Sequence, residues 1–322
     1  MQTICLAMII KNESKVLRRC LESVKGKVST YAIFDTGSSR EEFLEQQKII
    51  LDVLGVNGSY SQGEWEGFAG SRNHALRMAR GAARYILSLD ADETLEGDIP
   101  ELTEPLYSIA VTNDGKTMNW RELLLATSCP ATWDGDIHEH LVSIHKPVKL
   151  EGCVIKHWHD GKRSDTPETL HGDRTAILEA MNKCSTDDEW ERLCFMLGDT
   201  YIMDKKYGPA IELYESMADG MDNRRELVWN AIYRMGILRE MKCDDHHRIV
   251  ASYQRAIDTR PYRIEPYLAL SEYLKESDPE KAIDLATKAQ AIQPPPDTFN
   301  VDVSVYSEEY KSKFLAHIKE KK

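Results

Sequence analysis

Ile4-Cys5-Leu6-Ala7-Met8-Ile9-Ile10 is an unbroken apolar run. It has the pattern of a strand covered on both faces rather than one that alternates between core and solvent. The period then changes to that of a helix. Val16, Leu17, Cys20, Leu21 and Val24 share one helical face, with Ser14 as a cap and Gly26 as a stop. Tyr31-Ala32-Ile33-Phe34 predicts a second strand, ending on Asp35-Thr36-Gly37-Ser38-Ser39. Ser39 with Glu42 spells a capping box for a second helix through Phe43, Gln47, Ile50, Leu51 and Leu54, closed by Gly55. A third helix is predicted from Phe68 to Arg80, stopping at Gly81. Arg84-Tyr85-Ile86-Leu87-Ser88-Leu89 follows as a third strand, with Asp90 at its carboxyl end.

This β-α-β-α rhythm predicts a mostly parallel sheet with helices on both faces. Ligands of such sheets bind beyond the carboxyl ends of the strands. Asn12-Glu13, Asp35 and Asp90-Asp92 follow three strand ends in turn, so polar residues are expected to gather along one edge of the sheet.

From about Thr166 the pattern is helical, and from about Glu191 it becomes repetitive. Leu197-Gly198-x-x-Tyr201 is followed by Ala210, Tyr214 and Met217. Gly236 precedes Tyr253, Ala256 and Pro261, and then come Ala282, Ala286, Ala289 and Pro294. Tyr214, Tyr253 and Ala286 hold equivalent places, 39 and 33 residues apart. This resembles degenerate tetratricopeptide repeats, whose period is about 34 residues. In that arrangement small residues let the two helices of a repeat approach closely, and a proline ends the second helix.

Composition narrows the class. A chain of 322 residues suits two domains, and 42% hydrophobic with 29% charged residues is the balance of a globular protein. No run is long enough for a membrane-spanning helix. The opening apolar run has no basic lead-in and no small-residue cleavage site, so it reads as a strand and not a signal peptide. A net charge of −12 offers no broad basic face for non-specific nucleic-acid binding. Seven scattered cysteines, an odd number with no C-x-x-C pair, read as free thiols in a reducing compartment. The expected location is cytoplasmic: the bacterial cytosol, or the host cytosol for a phage-encoded protein.

Asp90 and Asp92, at i and i+2 just past a buried strand, can present both carboxylates to one side. With diphosphate oxygens they could complete an octahedral site for Mg²⁺ or Mn²⁺. Alone, D-x-D is a weak signal, and its context gives it weight. Cys5-Leu6-Ala7-Met8-Ile9-Ile10-Lys11-Asn12-Glu13 is similar to the opening strand of family 2 glycosyltransferases of the GT-A fold. Asp35-Thr36-Gly37-Ser38 resembles the family's second-strand motif, and Trp65-x-x-Phe68-Ala69-x-Ser71-Arg72-Asn73-x-Ala75-Leu76 its next helix. Leu87-x-Leu89-Asp90-Ala91-Asp92-Glu93 resembles its metal-binding motif. The resemblance covers roughly the first 180 residues, and a subset of the family carries tetratricopeptide-like repeats after the catalytic domain.

The resemblance implies roles for individual residues. Asp35 would hydrogen-bond the nucleotide base. The backbone near Ile10 and Asn12 would line base and ribose, with Glu13 in the same region. Arg72 would approach the nucleotide or its diphosphate, where a guanidinium is electrostatically suited. Asp92 would ligate the metal directly. Asp90 would contact the ribose, or the metal through water. Trp133-Asp134-Gly135-Asp136-Ile137-His138-Glu139-His140-Leu141 resembles the family's late W-x-G-x-x-H-E segment. Displacement at the anomeric carbon needs a group that takes the acceptor's proton. Glu139, preferred by its place in the motif, and Asp136 are the candidates, with His138 orienting the base. His138-Glu139-His140 lacks the i, i+4 spacing of a helical zinc site. In Val154-Ile155-Lys156-His157-Trp158-His159-Asp160-Gly161-Lys162-Arg163-Ser164, His157 matches the position of a further metal ligand, with His159 second. Lys162 and Arg163 would clamp the diphosphate from a loop that closes over the donor.

The sequence departs from the family between Glu93 and Trp133, where Thr94 to Thr132 is abbreviated around an Asn113-Asp114-Gly115 hairpin turn. The acceptor side is therefore expected to be open, suiting a peptide or protein, a glycan or a modified DNA base. The expected fold is an α/β GT-A, Rossmann-like nucleotide-diphosphosugar transferase domain over residues 1–165. An all-α tetratricopeptide-like helical domain follows over 166–322. The expected activity is metal-dependent, inverting transfer from a nucleotide sugar, a UDP-sugar first and GDP- or dTDP-sugars next, with Mn²⁺ or Mg²⁺. The repeats would recognise the acceptor or mediate self-association into a homo-oligomer. The rival is a catalytically degenerate transferase domain serving as a scaffold for its repeats. A nucleotidyltransferase would need a glycine-rich basic loop after the first strand, and Lys11-Asn12-Glu13-Ser14 is not one.

Overall fold

A computed structural model of the chain describes residues 2–135, 139–161 and 167–320. The chain divides into two units, residues 1–115 with 119–165, and residues 116–118 with 166–322.

The first unit begins β1 (Ile4–Ile10), α1 (Ser14–Val24), β2 (Thr30–Asp35), α2 (Arg40–Leu54), β3 (Gly58–Gln62), α3 (Gly67–Ala79) and β4 (Tyr85–Ser88). These four strands lie in the order β3-β2-β1-β4, all parallel. Right-handed crossovers from β1 to β2 and from β2 to β3 put α1 and α2 on one face. The return from β3 to β4 crosses the other way and puts α3 on the opposite face. The connection therefore reverses between β1 and β4, which makes the crevice beyond their carboxyl ends the topological switch point. Ile10-Lys11-Asn12 and Leu89-Asp90 stand at its rim.

The sheet then departs from the mostly parallel expectation. β5 (Glu93–Gly97), β6 (Leu106–Thr112), β7 (Thr117–Ala126), β8 (Ala131–Asp134), β9 (His140–Ser143) and β10 (Val148–His157) complete the unit. β7 joins β4 antiparallel and the order continues β7-β6-β10-β5, while β8 and β9 form a separate two-stranded sheet. Only β6 and β10 run parallel in this half. The cause is local: Asn113-Asp114-Gly115, with Gly115 at φ 74°, joins β6 to β7 as a tight hairpin, and strands so joined are antiparallel.

Helix faces follow the apolar spacing with one shift. Val16, Leu17, Cys20, Leu21 and Val24 are all buried on α1. Glu13, not Ser14, is the residue at its N-cap, and its own side chain makes no capping bond. On α2 the buried residues are Gln46, Ile49, Ile50 and Val53, so Leu51 lies off the core face, while Leu54 is half-buried and packs against the core. Only half of the capping box forms. Ser39 Oγ accepts from Glu42 N (3.3 Å), while Glu42 Oε2 accepts from Ser14 N (3.4 Å).

The second unit holds α4 (Pro167–Met181), α5 (Asp187–Met203), α6 (Tyr207–Gly220), α7 (Glu226–Met241), α8 (His246–Thr259), α9 (Glu265–Leu274), α10 (Pro279–Ala289) and α11 (Glu308–Lys319). Each helix packs on the next, α5 also meets α7, and α9 also meets α11. That is the stacking of tetratricopeptide-like pairs. The repeat positions explain the close approach: a Cβ on Gly198 would sit 2.3 Å from the Tyr214 ring, and one on Gly236 2.6 Å from the Tyr253 ring. Both tyrosines are fully buried.

Gly198→Ala therefore has two opposed effects. Helix propensity gains about 1 kcal/mol, but overpacking against a buried ring costs about 1–3 kcal/mol. At 2.3 Å from ring atoms that cannot swing away, the clash wins. The variant is expected to lower the midpoint of denaturant unfolding of the helical unit, and a stabilised variant would refute this packing.

Candidate active site

The edge formed by the ends of β1, β2 and β4 holds most of the polar residues singled out from the sequence, in three groups. The first is a row of charges around Asp90. Arg72, on the buried face of α3, donates from Nη2 to Asp90 Oδ1 (2.6 Å) and from Nε to Glu139 Oε1. Arg121, on β7, donates from Nη1 to Glu93 Oε1 (2.7 Å), and its Nη2 lies 3.8 Å from Asp90 Oδ2. Asp90 N donates to Glu93 Oε2 (3.0 Å). Arg72 also lies over the Trp133 ring, 5.1 Å from its centroid, and Asn73 clamps the Trp133 backbone with two reciprocal 2.8 Å hydrogen bonds.

Charges in the row alternate, and the pKa directions follow. Burial works against the Arg72 cation, but Asp90 and Glu139 outweigh it and hold the guanidinium charged. Burial likewise works to raise Asp90, and Arg72 and Arg121 pull it below the ordinary carboxylate range. Glu93, fully enclosed, is raised by burial despite Arg121. The sequence by itself assigns no role to Glu93 or Arg121. The signal was present as an arginine inside the strand Met118-Asn119-Trp120-Arg121-Glu122, but its facing partner is visible only once β7 lies beside β4.

The second group surrounds Asp92. His157 Nε2 lies 3.1 Å from Asp92 Oδ2, and Gly161 N donates to the same oxygen (3.3 Å). Trp158 N donates to Asp92 O (3.0 Å). The loop after β10 therefore wraps the aspartate, and a Cβ on Gly161 would come within 2.9 Å of Asp92 Oδ2. Arg19 of α1 anchors the loop through two bonds to Asp160 (2.9 and 2.6 Å) and lies over Trp158. His159, the second histidine of the motif, is tilted against His157 with ring centroids 3.9 Å apart.

Of the expected metal set, two residues lie side by side. Asp92 and His157 come together, whereas the Asp90 carboxylate is turned to Arg72 and Arg121, which compete for its oxygens. Among the described residues no group of three or more His, Cys, Asp or Glu is arranged to hold a metal ion. A carboxylate oxygen beside an imidazole nitrogen nevertheless suits Mn²⁺ when a ligand's phosphates supply further oxygens.

The third group surrounds Asp35. The carboxylate is 0% exposed. Oδ1 accepts from Gly37 N (2.9 Å), Ser38 N (2.7 Å) and Gln62 Nε2 (3.2 Å). Oδ2 accepts from Gln46 Nε2 (2.9 Å) and Tyr60 OH (2.9 Å). Burial pushes this carboxyl up, and the bonds from Ser38, Gln62 and Gly37 bring it below its ordinary value. The Ile10 carbonyl is likewise occupied, by Thr36 N (2.9 Å).

Beside this network lies a cleft of about 470 Å³ lined by Asn12, Glu13, Lys15, Val16, Ser39, Glu42, Asp160 and Gly161. Gly161 links it to Asp92. Asp136, His138, Lys162 and Arg163 lie outside the described residues.

All seven cysteines are unpaired, and among the described residues no helix is long and apolar enough to cross a membrane. Over 96 residues the chain is 35% identical to a TPR repeat-containing protein of Synechococcus elongatus, a match covering 30% of this chain and 22% of that relative's length. The crystal structure of MamA is similar at 17% identity and a TM-score of 0.34, over 47% of this chain and 87% of that one. The structure of GalNAc-T7 with UDP, GalNAc and Mn²⁺ is similar at 12% identity and a TM-score of 0.35, over 56% of this chain and 48% of that one. Likenesses this distant carry no weight on substrate or partner. The family profile described as Glycosyl transferase family 2 matches residues 5–125, which span β1 to β7 and carry Asp35, Arg72, Asp90, Asp92, Glu93 and Arg121. Residues 5–125 of this chain are a Glycosyl transferase family 2 domain.

Proposed function

We propose that the first unit transfers a sugar from a nucleotide-sugar donor, a UDP-sugar first, to a nucleophile on a macromolecular acceptor, with inversion at the anomeric carbon. The observation that carries the reading is the pairing of Asp92 with His157 beside the Arg72–Asp90–Arg121 row, of which Asp92, Arg72, Asp90 and Arg121 fall in the residues that match the family. Asp92 and His157 would hold a Mn²⁺ or Mg²⁺ ion, which when bound neutralises charge on the departing nucleoside diphosphate.

The other roles fall to the chain's own groups. Arg72 and Arg121 supply fixed positive charge where the diphosphate develops negative charge. Glu139 receives the acceptor's proton as the new bond to the anomeric carbon forms and the bond to the diphosphate oxygen breaks. In the structure Glu139 Oε1 accepts from Arg72 Nε, so that oxygen is not open to an acceptor hydroxyl. Shifting that guanidinium contact to a donor phosphate would leave Glu139 able to accept a proton, so donor binding would precede activation of the acceptor. The helical unit would recognise the acceptor or join copies of the chain.

The test is incubation with UDP-, GDP- and dTDP-sugars in Mn²⁺, reading nucleotide release and thermal stabilisation by each nucleoside diphosphate. One donor is expected to be slowly hydrolysed without acceptor. If no nucleoside diphosphate stabilises the protein and none is released, the domain is a scaffold for its repeats.

A further inference from the structure

Residues 290–302 of the second unit, between α10 and α11, are not helical. Pro294-Pro295-Pro296 stiffens the middle of this segment. The next four residues, Asp297-Thr298-Phe299-Asn300, are gripped by α5, α7 and the turn between α8 and α9. Asp297 Oδ1 accepts from Arg260 Nη1 (2.6 Å) and its Oδ2 from Arg263 Nη1 (2.9 Å). Glu226 stands in the first turn of α7. Its Oε1 accepts from the backbone N–H of Thr298 (2.7 Å) and of Phe299 (2.5 Å), and its Oε2 from Thr298 Oγ1 (3.0 Å). The Phe299 ring stands edge-on to Phe195 of α5, with centroids 5.3 Å apart. Asn300 Nδ2 donates to Asn230 Oδ1 of α7 (3.3 Å), and the Asn300 carbonyl accepts from Arg263 Nη2 (2.8 Å).

These contacts have the form of ligand recognition. Two guanidinium groups meet one carboxylate, one carboxylate meets two consecutive backbone N–H groups, and a ring meets a ring. The cradle also has bonds of its own. Arg263 donates to both oxygens of Glu265 (3.0 and 2.8 Å) and lies over the Trp229 ring, and Arg260 Nη2 donates to the Arg224 carbonyl. Both arginines therefore keep a partner when Asp297 leaves, which limits the cost of a stranded buried charge. The docked residues stay near the surface: Asp297 is buried, Thr298 is exposed, and Phe299 and Asn300 are half-buried. Glu226, Asn230 and Tyr233 follow an i, i+4, i+7 spacing on α7, so they share one face. Phe195 and Tyr233 hold the same place in successive repeats, three residues before Gly198 and Gly236. Residues 297–300 thus lie along the face of the first helices, and stacked repeats offer such faces as extended binding surfaces.

We propose that this face of the helical unit is a peptide-binding site, and that residues 297–300 occupy it in cis. Its partner is a protein segment with a carboxylate side chain two residues before an aromatic ring, which binds by displacing them. A segment tethered beside its site has an effective concentration on the order of millimolar, so a free peptide competes poorly until the tethered one is weakened. Every residue involved lies in the second unit, so the site stands apart from the nucleotide-sugar reading.

The experiment adds a fluorescent peptide of residues 293–302 to the full chain and measures Kd by anisotropy. Wild type is compared with the double variant Asp297→Ala with Phe299→Ala, which weakens the tethered segment and leaves the cradle intact. Circular dichroism reports folding. The peptide is expected to bind the double variant at least about tenfold more tightly than wild type, because the site is open for a larger fraction of the time. On the double variant, a peptide carrying Asp297→Asn is expected to bind about tenfold more weakly than the native one, since it keeps the shape and loses the charge that Arg260 and Arg263 meet. A folded double variant that binds the native peptide no more tightly than wild type, or binds both peptides equally, overturns the proposal. If the double variant does not fold, Phe299→Ala alone is measured in the same way, since it leaves every ion pair in place. Tighter binding than wild type then supports the site, and equal binding overturns it.

Discussion

Arg72→Ala is expected to destabilise the first unit by about 3 kcal/mol, the low end of what removing one partner of a buried ion pair costs. Arg72 is 8% exposed, and it sits between Asp90 and Glu139. Without it two carboxylates share a half-enclosed space with Arg121 as the nearer remaining cation, and Arg121 is already committed to Glu93. The Trp133 ring loses the cation above it as well. The low end of the range is the better figure because the Asp90 side chain keeps 28% of its surface and can recover some hydration. For a unit of this size the loss corresponds to a melting temperature lower by roughly 6–12 °C, read by calorimetry. Arg72→Lys keeps the charge, but a point ammonium cannot bond two carboxylates from a planar fork and stack on an indole at once. It is expected to fall between wild type and alanine. Adding Glu139→Gln to Arg72→Ala removes one stranded charge, and part of the lost stability is expected to return. Arg72→Ala melting at the wild-type temperature would contradict the charge row.

The elements that the sequence made legible are those whose pattern is set by their own burial. The β1 run and the five positions of α1 are examples, because a fully covered strand and a one-sided helix each leave a period in the chain. The same holds for the second unit, where Gly198 with Tyr214 and Gly236 with Tyr253 mark where two helices meet. β3 left no such trace. Gly58-Ser59-Tyr60-Ser61-Gln62 has no apolar alternation, since it is an edge strand paired on one side only. On α2 the apolar spacing points to Gln47 where Gln46 is the buried residue, for a related reason. Gln46 is buried because Asp35 needs its amide, and an apolar count passes over a polar residue with that task. The antiparallel half of the sheet depends on where hairpins fold back, which periodicity does not report.

The site divides along the same line. Strand-end motifs pointed to Asp35, Asp90 and Asp92 because the topology gathers strand ends. What each carboxylate does there depends on neighbours from elsewhere in the chain, such as Gln46, Gln62, Arg121 and His157. Two aspartates of one three-residue motif thus face different chemistry. That difference is invisible in Asp90-Ala91-Asp92 read alone.

Asp92→Asn draws out that difference with the second large effect. On the reading proposed above, it is expected to lower donor turnover by about a hundredfold or more, the scale of losing one electrostatic contact to a developing charge. It is also expected to abolish the Mn²⁺ dependence of thermal stabilisation by a nucleoside diphosphate. Stability is expected to change by only about 1 kcal/mol. Asp92 Oδ2 faces His157 and one backbone N–H, not a pair of buried guanidinium groups, and an amide oxygen still accepts from Gly161. Asp90→Asn is expected to show the reverse emphasis. It leaves Arg72 and Arg121 short of a counter-charge, so its melting temperature falls first and its turnover falls with it. Measuring both variants for melting temperature and for Mn²⁺-dependent nucleotide release separates the two roles. If Asp92→Asn keeps its Mn²⁺ response while Asp90→Asn loses it at an unchanged melting temperature, the metal belongs to Asp90. In that case a bound donor must first draw Arg72 off that carboxylate, and Asp92 with His157 serves only to hold the loop that ends at Gly161.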